Sequence, residues 1–74
     1  MDIAERKALV ARFIERCNEY AESKLEQYKK QLERASAADA LAIQDKIGHW
    51  TAYRAFNDHT LRELATAELD DWLE

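Results

Sequence analysis

Two pairs of residues have types and spacing that could do chemistry: Asp45 with His49, and His59 with Glu63. A four-residue step brings both members of each pair to one face of a helix, where an imidazole and a carboxylate could share a metal ion or a proton. Di-iron carboxylate bundles need a Glu-x-x-His step from two helices and two further glutamates. Neither pair has that step. Fourteen residues separate Asp45 from His59, about 21 Å along a continuous helix, so one chain brings the pairs to a common ion only if that helix folds back. Cys17 is the single cysteine. It excludes an intrachain disulfide, and with two histidines it falls short of the usual zinc ligand sets. It reads best as a small buried hydrophobe. None of Ser23, Ser36, Thr51 and Thr60 stands among the glycines of a nucleophile motif, and there is no phosphate-binding glycine loop. No catalytic residue, metal or cofactor is therefore assigned, and a non-enzymatic protein is expected.

The elements that would carry these residues are helices. The chain has 74 residues, no proline and only Gly48 as glycine, so it lacks the positive-φ positions that several tight β-turns require. Ala, Leu, Glu, Lys, Arg and Gln dominate, as in good helix formers. Helix one is expected over about residues 3–34. Asp2 caps it with Glu5 three residues on, and Val10, Phe13, Ile14, Cys17, Ala21, Leu25, Tyr28, Leu32 and Ala35 form one apolar stripe. Ser36 with Asp39 reads as the next N-cap. Helix two then runs over about 37–64 with the stripe Ala40, Ile43, Ile47, Trp50, Tyr53 and Phe56. Continuing this stripe in strict heptads would place Arg54 and Asn57 in the core, so a register shift is expected near Asn57, by a kink or by a new helix start. A turn at Thr66 leads to a short acidic helix over about 67–73.

A short connection makes the two long helices antiparallel neighbours. The expected fold is all-α: a long antiparallel helical hairpin with a short C-terminal third helix, forming one domain over residues 1–74. Gly48 within helix two is expected to mark a close approach of helix one or of a second subunit. The aromatic half of helix two gives more apolar surface than a hairpin hides, so a homodimer making a four-helix bundle is expected, with Ile47, Trp50, Tyr53 and Phe56 at the interface.

Charge indicates the partners. The net charge is −4, yet residues through Ala35 sum to +1 and those from Ser36 onward to −5. Five carboxylates and no basic residue lie between Glu63 and Glu74. The basic run Lys24, Lys29, Lys30 and Arg34 is diluted by Glu22, Glu26 and Glu33, which argues against direct nucleic-acid binding. No apolar run reaches the length of a membrane span, and the charged start is unlike a signal peptide. A cytoplasmic protein is expected.

The stretch Asp58-His59, Glu63-Leu64 resembles the Asp-His-x-x-x-Glu-Leu run of the Hha/YmoA family of small nucleoid-associated regulators. That resemblance implies a four-helix modulator bound to a DNA-silencing partner. It covers about a dozen residues, and this chain departs from the family in its longer first helix and in the spacing from cysteine to Asp-His. No family is assigned on it.

The functional expectation is an adaptor or regulatory protein that contacts an unidentified protein through Leu69, Asp70, Asp71, Trp72 and Leu73. Trp72 would be the anchor, with the carboxylates steering the encounter. Two other roles fit the same features: a small acidic inhibitor occupying a basic or nucleic-acid-binding surface of a larger enzyme, and a structural subunit of a larger assembly.

Overall fold

The computed structural model describes residues 1–74, as three helices: α1 (Ile3–Leu32), α2 (Ala37–Leu64) and α3 (Asp70–Leu73). No strand is present. The two long helices pack as an antiparallel hairpin, a rod of 52 × 16 × 13 Å.

Each helix begins where its sequence offers an oxygen to an orphan amide. The Asp2 carboxylate accepts the N–H of Glu5 at 2.8 Å, and the Ser36 hydroxyl oxygen accepts that of Asp39 at 3.3 Å. α1 ends slightly early because its last turn tightens: Arg34 N–H bonds to the Gln31 carbonyl and Ala35 N–H to that of Leu32. No residue has positive φ, which explains how a chain without a loop glycine makes this connection. Thr66 organises the second turn by donating to the Glu63 carbonyl at 2.7 Å and accepting the Glu68 N–H at 3.2 Å. The short last helix therefore starts at Asp70, later than the expected residue 67.

Three contacts set the register between α1 and α2. Asn18 bonds to Asp58, Glu22 pairs with Arg54, and Lys46 lies over the Tyr28 ring. Residues whose numbers add to about 75 thus stand at one level of the antiparallel seam. The seam then reads as heptads in both helices: Ile14, Ala21 and Tyr28 with Asn18, Leu25 and Leu32 on α1, facing Ile43, Trp50, Asn57 and Leu64 with Ile47, Arg54 and Leu61 on α2.

This corrects the expected break. α2 is continuous through Asn57, and the strict heptad holds although it places two polar residues in the seam. Asn57 is buried, and Arg54 stays outside by reaching across to Glu22 at 2.8 Å. The small Ala21, fully buried at the level of Arg54, leaves room for that reach. A kink would have saved burying one amide but would have cost the packing of Leu61 and Leu64 on α1.

Phe13 departs from its expected place too. It is 69% exposed, because the seam centres on Ile14, Ala21 and Leu25, and Phe13 lies a quarter turn to one side. At Gly48 the expected approach of helix one is absent. A Cβ built there would meet nothing within 4 Å, so no helix approaches it in this chain. Gly48→Ala is accordingly expected to stabilise the hairpin by about 1 kcal/mol, the helix-propensity difference alone. A urea melt reads it, and an unchanged or lower midpoint would mean that a neighbour occupies the space.

Candidate interaction surfaces

The C-terminal turn is held against the start of α1. Lys7 Nζ donates to the Thr66 carbonyl at 2.7 Å and pairs with Asp70 Oδ1 at 2.7 Å. Arg6 Nη1 donates to the Leu73 carbonyl at 2.6 Å and to that of Glu74 at 3.2 Å. Antiparallel packing makes this possible, since it returns the end of α2 to the level of Lys7. The Lys7 and Asp70 side chains are only 22% and 31% exposed, so their attraction is less screened than that of a surface pair.

The clamp sorts the expected partner-binding residues into two groups. Leu69, Asp70 and Leu73 are half-buried and engaged with the chain itself. Asp71 and Trp72 point outward, and Trp72 is 85% exposed. An indole this large is normally covered, and here it is displayed on a turn whose backbone is tied at both ends. Arg6 and Lys7 were not singled out by the sequence. Their one signal was Lys7 standing on the apolar seam of α1, where a lysine needs a partner.

The second surface is one edge of the hairpin. The seam has two edges, and they differ. Asn18–Asp58 and Glu22–Arg54 occupy the polar one. On the opposite edge the Tyr20 ring meets Trp50 edge-on at 5.6 Å, and Trp50 meets Tyr53 edge-on at 5.5 Å. Such pairings add to area burial by placing ring edges on ring faces. Cys17 lies beside the Tyr53 hydroxyl, and this contact holds the tyrosine pKa above its usual 10.0.

The residues expected at a dimer interface divide across this edge. Ile47 and Trp50 are half-buried, Trp50 within the chain's own aromatic cluster. Tyr53 and Phe56 face outward, Phe56 at 68% exposure. Leu9, Phe13 and Tyr20 of α1 join them as exposed large apolar groups. Spacing of four and seven residues places these three on one strip. The basic run is partly engaged nearby, with Lys24 5.5 Å from the Tyr20 ring centre.

The candidate chemical pairs remain on the outside of α2. His59 contacts Glu63, whereas Asp45 and His49 are exposed without an ion pair between them. No three His, Cys, Asp or Glu side chains come together as a metal set would require. The surface concavities are open grooves along the helices, such as the one lined by Gln31, Arg34, Ala35, Asp39, Ala42 and Ile43. No helix is long and apolar enough to cross a membrane.

At the level of Asn57 the seam also carries a polar mismatch. Asn18 Oδ1 and Asn57 Nδ2 are both buried, an acceptor and a donor standing at one level, and the Asn57 amide lies beside the Tyr53 hydroxyl. Buried amides of this kind cost stability and penalise slipped registers. Sliding α2 by a heptad would oppose Asn57 to Ala11 or Leu25.

Set against family models, curated proteins and solved structures, the chain matches none of them.

Proposed function

We propose that this chain is a non-catalytic adaptor or regulator that works through protein–protein contact, docking by Trp72. The observation carrying this reading is the 85% exposure of Trp72 on a turn clamped by Arg6 and Lys7. Tryptophan is the side chain most enriched among residues that dominate binding energy. Holding its backbone in advance lowers the ordering cost of binding. Asp71 and the nearby Glu68 and Glu74 are exposed, whereas Asp70 is matched by Lys7. The partner fitting this terminus has an apolar pocket with a basic rim. Self-association into a four-helix bundle is part of the same reading, supported by the apolar edge that the hairpin leaves open.

The test is photo-crosslinking from a reactive analogue at Asp71 in cells that make the protein, followed by affinity measurement with the protein captured. Trp72→Ala is expected to retain the helical circular dichroism and to lose tenfold or more in affinity, about 1.4 kcal/mol. Unchanged affinity with unchanged helicity would remove Trp72 as the anchor.

A further inference from the structure

We propose that a second copy of this chain covers the aromatic edge, with the two-fold axis running along the hairpin so that α1 of each copy lies on α2 of the other. This rests on the self-association reading above and fixes its face and symmetry.

Area indicates that something covers the chain. It exposes 5722 Å², about 1,000 Å² more than the ~4,700 Å² a compact monomer of this mass presents. About 800–1,000 Å² is what each partner contributes to a stable interface. The exposed large apolar side chains are concentrated in one place. Leu9, Phe13 and Tyr20 on α1, with Tyr53 and Phe56 on α2, lie on the same edge and at neighbouring levels of the seam. The opposite edge already carries its own hydrogen bond and ion pair.

Apolar residues also continue around α2 beyond that edge. Leu41, Ala52, Ala55 and Phe56 are all exposed, and a helix apolar on more than one face belongs inside a bundle. A self-complementary patch of this kind suits a second copy.

Charge selects the axis. Along α1 the edge is bordered by Arg16 and, two heptads further, by Lys30, with Arg34 beyond it. Along α2 it is bordered by Glu63, which contacts His59, and by Asp45, while the neighbouring Lys46 is drawn onto the Tyr28 ring of its own chain. By the register of the hairpin, Lys30 is level with Asp45. An axis along the hairpin keeps that level and sets the basic border of one copy against the acidic border of the other. An axis across the hairpin would set α1 against α1 and bring Arg16 towards its own copy, which costs affinity.

Two measurements on the whole chain test this. Sedimentation equilibrium over the micromolar range is expected to show a dimer, and Phe13→Glu and Phe56→Glu each to raise its dissociation constant by tenfold or more with helicity retained. Spin labels at Ala38→Cys in a Cys17→Ala background are then expected to lie within about 30 Å of each other. An axis across the hairpin would separate them by about 60 Å, twice the distance from the patch to the loop. A wild-type chain monomeric throughout would overturn self-association itself. A dimer indifferent to both glutamates would overturn the face, and a 60 Å separation the axis.

Discussion

Leu25→Ala is expected to remove about 3 kcal/mol of folding stability, a large share of what the hairpin has. A chain of this length holds roughly 4–11 kcal/mol in total. Only Ala21, Leu25, Asn57 and Leu64 are buried, and Leu25 and Leu64 are the large apolar side chains among them. Leu25 stands at the level of Trp50, between the polar layer of Asn18 and Asn57 and the loop-side layers of Tyr28 and Leu32. Truncation there removes buried methyl groups and leaves a gap beside an indole, for which Leu→Ala changes cost about 2–5 kcal/mol. The seam is open to solvent along both edges, so partial collapse keeps the loss toward the lower end. Leu41→Ala, at a side chain 68% exposed, serves as the control and is expected to change stability by less than about 0.5 kcal/mol in the monomer. Urea denaturation at low concentration, with the slope checked for two-state behaviour, reads both. Equal effects at the two positions would mean that the hairpin seam is not the core.

Much of this architecture was legible because it is local. Helix starts at Asp2 and Ser36, the short connection and the antiparallel pairing all follow from residues within a few positions of one another. The seam of α2 was harder to read. Heptad spacing named Arg54 and Asn57 as core positions, and polarity argued that a break was cheaper than burying them. The outcome depended on Ala21, Glu22 and Asp58, which accommodate the arginine and bond the facing amide of Asn18, and no local pattern displays that pairing. Phe13 shows the limit of a stripe drawn from three- and four-residue steps. Such a stripe is broad, and which part becomes the seam is fixed by the partner helix. Gly48 is a case where the approach of helix one was expected from a glycine inside a helix and the chain leaves that side open.

The terminal site was half legible. Trp72 and its carboxylates stood out by type, but the clamp joins residues 59 to 68 positions apart, beyond the reach of any periodicity. Its consequence is also functional, since an exposed tryptophan on a loose tail and one on a fixed turn differ in the order each must gain on binding.

Lys7→Ala is therefore expected to free the terminal turn while leaving the hairpin folded. The substitution removes two partners at once, stranding the Thr66 carbonyl and the Asp70 carboxylate. Losing a charge-assisted hydrogen bond in a partly covered place costs about 1.5–3 kcal/mol. An opening cost lowered by about 2 kcal/mol corresponds to exchange roughly thirtyfold faster at the amides of Asp70, Trp72 and Glu74, which bond only within this turn. Amides of the seam near Leu25 should keep their protection. Lys7→Met retains much of the aliphatic stem and separates packing from charge, and a cycle with Asp70→Asn isolates the ion pair from the bond to Thr66. Partner affinity should fall with the loss of order even though Trp72 is untouched, because binding must then restore the turn. If the terminal amides of the unaltered chain exchange as fast as those of the variant, the turn is not held by Lys7, and Trp72 is carried by a flexible tail.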